Sequence, residues 1–198
     1  VSYGNDFKSF ITYLSNYMLI PLDKLTELSD SIFGIKLSEG SINNWQLSLA
    51  NNLTNYEETV KSLLLKQETL HVDESGLKVN KLGMWLHVCC NSNFTYYDVH
   101  ASRGGKALRD IGILENYTGR LMHDCYKSYF TVGTKAIHGL CNAHLLRELK
   151  AVLEYDKLNF AKELCDLLNK IHPEVKNSKL IGSDSMNKWL RDSYRKAW

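Results

Sequence analysis

The chain has 198 residues, 44% of them apolar and 23% charged, enough to bury one good core with a small helical appendage. Its net charge of +2 comes from Lys and Arg scattered without a basic run, so charge neither demands nor excludes a nucleic-acid partner, and any basic surface has to be made by folding. The five cysteines include no Cys-x-x-Cys pair, and no stretch resembles a secretory leader or a membrane span, so a reduced, cytosolic chain without a membrane partner is expected.

From residue 1 to 68 the periodicity is helical. Phe7, Phe10, Ile11, Leu14 and Met18 recur at three- and four-residue spacing ahead of Pro21 and predict a first helix. A second is predicted over 22–33, closed by Gly34, and Ser38 with Ser41 starts a third that carries Ile42, Trp45, Leu47 and Leu49. Two short helices about a glycine-containing turn are a helix-turn-helix candidate for reading DNA; the same pattern serves plain packing in a small bundle. Residues 51–68, with Leu53, Tyr56, Val60, Leu63 and Leu64, are expected as one further helix.

At Thr69 the period changes. Leu70 to Gly76, Leu82 to Cys90 and Phe94 to His100 read as an antiparallel meander, with turns over Gly76 to Lys81 and Asn91 to Asn93. Gly104 and Gly105 open a helix through Leu108, Ile111 and Leu114, after which a strand runs from Tyr117 to Asp124. Cys125 to Phe130 turns away from it. The apolar run Ala136 to Cys141 precedes a helix begun at Asn142, with Leu145, Leu149, Val152 and Leu153 on one face and His144, Arg147 and Glu148 on another.

This order predicts an α/β architecture, a mixed sheet with helices, that can bring the ends of non-sequential strands side by side. Asp73 is expected to end the first strand and Asp124 the fourth. If those strands are neighbours, two carboxylates converge at one sheet edge, where a hard cation such as Mg²⁺ binds through oxygen. Two such ions about 4 Å apart would clamp an in-line attack on phosphate. Aspartates at strand ends also serve merely as acceptors for backbone donors. Glu74 points to the opposite face from Asp73 and is expected in a salt bridge or turn rather than at a metal.

Other chemistries compete for the same residues. His138, Cys141 and His144, with His123 and Cys125 close by, suggest zinc, yet Cys141 ends an apolar run, where cysteine behaves as a small hydrophobe. A cysteine nucleophile paired with His144 lacks an evident third group to orient the base. Arg103, Lys106 and Arg109, with Lys127 and Arg147, could line a phosphate-facing groove or form an ordinary solvated surface. Trp45 and Trp85 are expected in packing rather than as stacking platforms.

Three ordered stretches carry a resemblance. Val72-Asp73-Glu74-Ser75, Leu121-Met122-His123-Asp124-Cys125-Tyr126-Lys127-Ser128-Tyr129 and Leu140-Cys141-Asn142-Ala143-His144-Leu145-Leu146-Arg147-Glu148-Leu149 resemble the catalytic domain of bacterial transposases of the insertion-sequence 66 family. Ser2-Tyr3-Gly4, Ile20-Pro21-Leu22 and Phe33-Gly34-Ile35 through Ser41-Ile42 resemble the helical segment that precedes that domain. The likeness covers about residues 1–170.

The resemblance implies a ribonuclease-H-like fold whose Asp-Asp-Glu triad binds two Mg²⁺ ions, with Mn²⁺ as substitute, hydrolyses a phosphodiester at the element end and joins the freed 3′-hydroxyl to target DNA. Asp73 and Asp124 match the two aspartates and are the implied catalytic and metal-binding residues. The Cys-Asn-Ala-His-Leu-Leu-Arg segment matches a family signature and points to His144 and Arg147 for DNA contact or support of the site; Arg103, Lys106 and Lys127 complete the DNA-binding candidates. The implied partners are double-stranded DNA, at element ends and target, and a homo-oligomer with full-length transposase, in the bacterial cytoplasm at the nucleoid.

The implied division is a helical segment over 1–68, a partial ribonuclease-H-like core over 69–156 and the start of a helical insertion, or a divergent tail, over 157–198. The family's third acid stands in an Asn-Asn-x-x-Glu-Arg type stretch that residues 1–198 do not contain, and neither Glu148 nor Glu163 stands in its context. The cysteine-rich zinc-binding segment of the family is not among these residues either. The expectation is therefore a transposase piece inactive by itself; the alternative is a non-catalytic DNA-binding or dimerising remnant.

Overall fold

Pro21 and Gly34 punctuate the first stretch as their backbones require. In the computed structural model, which describes residues 2–181, α1 (Asn5–Asn16) ends ahead of Pro21, and Pro21 leads into α2 (Leu22–Phe33). Gly34 closes α2 at φ 64°, donating its N–H to the carbonyls of Asp30 and Ser29. An alanine here is strained by the left-handed backbone, so Gly34→Ala costs about 1 kcal/mol. A lowered denaturation midpoint, with the helical circular-dichroism signal kept, is the expected reading.

Ser38 starts α3 (Glu39–Leu65), its Oγ accepting the Ser41 N–H at 3.1 Å. The expected division into a helix near Ile42 and another over 51–68 is corrected: α3 is one helix of 27 residues. No glycine or proline interrupts 41–65, so nothing ends it. Ile11, Leu25 and Ile42, all 0% exposed, form the core of this part, with Phe7, Leu14, Leu28 and Trp45 packed on it. Trp45 is edge-on to Tyr3 and Phe7 and belongs to packing.

The chain divides between Ser62 and Leu63 into two compact units. The second is built on one five-stranded sheet of order β3-β2-β1-β4-β5, comprising β1 (Thr69–Val79), β2 (Leu82–Cys90), β3 (Thr95–His100), β4 (Arg120–His123) and β5 (Ile137–Leu140). β1, β2 and β3 are antiparallel; β4 and β5 run parallel to β1. With flanking helices and a helical segment ahead of it, this mixed sheet is the α/β, ribonuclease-H-like architecture.

The boundaries of β1 and of the helix after β3 differ from expectation. The turn expected over Gly76 to Lys81 shrinks to Asn80 and Lys81, both at positive φ, because the ladder continues through Gly76↔Trp85 to Val79↔Leu82. Asp73 is consequently in the middle of β1 and does not end it. The helix expected from Gly104 to Leu114 is also cut: α4 (Gly105–Ile111) stops at Gly112, φ 79°, and a 3₁₀ turn (Leu114–Asn116) follows.

Strand alternation buries Leu70, Val72, Cys89, Tyr96 and Leu121 on one face. Leu108 of α4, Ile113, Leu114 of the 3₁₀ turn and Tyr129 of α5 (Lys127–Val132) share a cavity with Val72 and Cys89, so these helices cover that face. Burial pushes the Cys89 thiol up to about 12. After β5, α6 (Asn142–Tyr155) packs against α7 (Asn159–Ile181), which buries Ala161, Cys165, Leu168 and Ile171 along one stripe. Of the expected 157–198 segment, residues 182–198 lie outside the described residues. No helix among the described residues is long and apolar enough to cross a membrane.

Candidate active site

The parallel pairing of β1 with β4 sets the geometry. Thr69 faces Arg120, Leu70 faces Leu121 and His71 faces Met122, and that register carried two residues further would bring Asp73 and Asp124 level with one another. They lie where the two chains part, since the ladder ends at His71. Asp124 follows directly on β4, and its Oδ1 accepts the Tyr126 N–H at 2.9 Å, which fixes the carboxylate at the start of the turn into α5.

Neighbouring acids on β1 have opposite environments. The Asp73 side chain is 53% exposed, whereas that of Glu74 is 1% exposed. Alternation sends Glu74 to the helix-covered face, where Arg103 Nε donates to Oε1 at 2.7 Å and the Tyr129 hydroxyl donates to Oε2. Glu74 thus takes the salt-bridge role expected from its parity. The Glu74 hydrogen bond raises the pKa of the Arg103 guanidinium further; burial first, then Glu74, raises that of the Tyr129 hydroxyl, which therefore stays a donor.

The remaining candidates are distributed unevenly. His144, in the first turn of α6, brings Nε2 to 3.9 Å from Asp73 Oδ2, while its buried Nδ1 has no hydrogen-bond partner among the described residues. Arg147, one turn on, is exposed and directs Nε at its own helix, to the Ala143 carbonyl at 3.4 Å. Lys106 pairs with Asp110 along α4, and Lys127 is exposed at the start of α5. Arg103 reaches the acids instead: it lies within electrostatic reach of Asp124 as well as on Glu74. Glu148 of α6 and Asp124 both add to the burial that raises the Cys125 thiol, so Glu148 is near the turn behind Asp124.

Trp85 and Tyr126 were missing from the sequence reading as site residues. The Arg103 guanidinium carbon is 5.0 Å from the Trp85 ring centre and 4.4 Å from that of Tyr126. Tyr126 and Tyr129, two and five residues after Asp124, were the available signal: aromatic residues close behind an acid at a strand end.

His123, 1% exposed, ends β4 between these groups. Its Nδ1 meets the Asp124 carbonyl oxygen, an obligate acceptor, so Nδ1 carries the proton and Nε2 accepts from His138 Nδ1 at 2.8 Å. Burial lowers the His123 pKa. Between the lowered folded pKa and the unfolded value the unfolded chain binds more protons than the folded one, so this contribution to stability is full above about pH 6.5 and is lost as pH falls from there through the folded pKa. Denaturation with divalent ions chelated should show lower stability at about pH 5 than at about pH 7, with a smaller difference in His123→Phe.

Zinc finds no cage here, for no three of His, Cys, Asp and Glu among the described residues converge to hold a metal. A harder cation makes a lesser demand. Mg²⁺ is bound through one or two carboxylates, with waters and substrate phosphates completing its shell, and Asp73 and Asp124 supply hard oxygen donors of that kind at one level of the sheet. The donor set fits that ion. Compared with known families, the chain matches the model described as Transposase IS66 family over residues 1–197. No curated protein matches it.

Proposed function

The chain belongs to the IS66 family of transposases, and from that premise we propose that Asp73 and Asp124 are the metal-binding carboxylates of its DNA-transposition centre. What supports this reading is the parallel register of β1 and β4, which levels two acids that are 51 residues apart in sequence (124 − 73). Bound there, Mg²⁺ or Mn²⁺ would polarise a phosphoryl oxygen and lower the pKa of an attacking water. His144, beside Asp73, orients that carboxylate; Arg103, Lys106, Lys127 and Arg147 neutralise phosphates of the double-stranded element ends and target.

Two carboxylates hold less charge against divalent ions than the three that the family resemblance implies. A polypeptide of residues 1–198 accordingly binds metal and DNA without cutting, until a third carboxylate is brought to it, as in an oligomer with full-length transposase. The test is a supercoiled plasmid bearing the element ends, incubated with the purified polypeptide and Mg²⁺ or Mn²⁺. Intact plasmid is expected; nicking that disappears in Asp73→Ala would refute the claim that these residues are inactive by themselves.

A second reading draws on α2, Gly34 and α3, a helix pair about a left-handed glycine, as a DNA-reading or dimerising element. Binding of element ends that survives Asp73→Ala with Asp124→Ala, but is lost when residues 1–68 are removed, would favour it.

A further inference from the structure

Arg103 does not behave as a surface arginine. It leaves the segment after β3, where His87 Nε2 donates to the Ser102 carbonyl at 3.2 Å and the Ser102 N–H donates to His100 Nδ1 at 2.8 Å. From there its side chain crosses to Trp85 of β2, to Glu74 of β1 and to Tyr126 behind β4. The side chain is 43% exposed, and its two terminal nitrogens have no hydrogen-bond partner among the described residues. A guanidinium held by Nε and by both ring faces is rigid, yet still offers its forked edge.

Glu74 is the other half of this arrangement. A carboxylate 1% exposed is costly unless fully paired, and its two partners are the Arg103 Nε and the Tyr129 hydroxyl. Tyr129 also stacks against His123 at 5.0 Å between ring centres, and Tyr126 meets Tyr129 edge-on at 6.1 Å. Tyr126 is in turn the residue whose N–H holds Asp124. One connected set of contacts therefore runs from the acid next to Asp73 to the turn that carries Asp124, with the guanidinium in its middle.

We propose that Glu74 is a positioning residue: anchored by Tyr129, it fixes Arg103 between Trp85 and Tyr126 so that the forked edge of the guanidinium meets a DNA phosphate on the Asp124 side of the acid pair. The proposal rests on the reading of those aspartates given above and adds the residue that makes Arg103 differ from Lys106 or Arg147. A planar fork already immobilised loses little freedom on accepting two phosphate oxygens, the geometry in which arginine outperforms lysine.

The sign of one mutation separates this from simple charge. Removing a carboxylate near DNA should tighten binding on electrostatic grounds; removing one that positions the arginine weakens it. Affinity for a short double-stranded DNA, measured by anisotropy over a range of salt with the full chain, is expected to fall about tenfold in Arg103→Gln, with the salt slope reduced by about one. Arg103→Lys keeps the charge and most of the slope but loses several-fold in affinity. Glu74→Ala weakens binding about as much as Arg103→Gln, the double variant loses no more than Arg103→Gln alone, and isosteric Glu74→Gln, which still accepts from Nε, restores binding to within roughly threefold.

Glu74→Ala binding as tightly as the wild type or tighter, or Arg103→Gln with an unchanged slope, overturns the proposal. Should Glu74→Ala fail to fold, Arg103→Lys and Glu74→Gln decide it, since equal losses in those two contradict the positioning role. Mn²⁺ titration of the same proteins keeps the two readings apart. Metal binding unchanged in Arg103→Gln and lost in Asp73→Ala leaves the aspartate reading standing whatever the slopes show; metal binding retained in Asp73→Ala removes that reading and this proposal with it.

Discussion

Asp73→Ala should lower the affinity of the chain for Mn²⁺ about a hundredfold or more. Loss of a group that merely hydrogen-bonds a metal ligand costs about 10–100-fold, and loss of one of two carboxylate ligands costs at least the upper figure. The side chain is half exposed; its Oδ1 accepts the Glu74 N–H at 2.9 Å and its Oδ2 is 3.9 Å from His144 Nε2. Stability should accordingly fall by no more than about 1 kcal/mol, the worth of one half-exposed hydrogen bond. Titration calorimetry on the wild type, Asp73→Ala, Asp124→Asn and, as a control outside the acid pair, Lys24→Ala gives the comparison. Wild-type affinity is expected in Lys24→Ala alone.

Gly119→Ala should destabilise the second unit by about 3 kcal/mol, near the upper range for overpacking a core, with Tm falling by roughly 10 °C. A Cβ at this position would overlap the Tyr117 hydroxyl and lie 2.6 Å from its Cζ and 2.7 Å from the Glu68 carbonyl oxygen. Neither obstacle can retreat. Tyr117 is 0% exposed with its hydroxyl 3.2 and 3.1 Å from the carbonyls of Gln67 and Arg120, and the Glu68 oxygen accepts the Arg120 N–H at 2.8 Å. The strain falls on the pairing of β1 with β4, and so on the relation of Asp73 to Asp124. Gly139→Ala makes the informative comparison: its Cβ meets chiefly the flexible end of Met122, so a loss below about 1.5 kcal/mol is expected.

Where local chemistry decides structure, the amino-acid pattern was enough. Pro21 and Gly34 bracket α2 at the expected residues because one lacks an N–H and the other tolerates the left-handed turn. β2 runs from Leu82 to Cys90 as read, since its ends are set by a tight turn and by Asn91, whose side chain accepts the Asn93 and Phe94 N–H groups. α3 was misjudged for the opposite reason: asparagines at 51 and 52 suggest a boundary, but weak propensity without a glycine or proline does not end a helix. Gly76 misled in the same way, being carried inside β1 by its cross-strand partner Trp85.

The candidate site was legible in two different degrees. Asp73 and Asp124 were singled out by resemblance, for two aspartates so far apart say little by spacing. Glu74 was assigned to the face opposite Asp73 by strand parity alone, and it is found there. Its partners were not legible, because Arg103 is 29 and Tyr129 55 residues away and only the crossing of β2, β1 and the turn after β4 brings them together. Trp85 was read as packing, and its ring packs under a guanidinium rather than only against apolar neighbours.

In the function proposed above, Asp73 and Asp124 together form one divalent-cation site where β1 and β4 part. Mn²⁺-induced broadening of backbone amide resonances, followed residue by residue, locates that site. Broadening centred on residues 73, 124 and the 144 turn of α6, abolished by Asp73→Ala, is the predicted result. Broadening centred elsewhere, or the same pattern in Asp73→Ala, would contradict it.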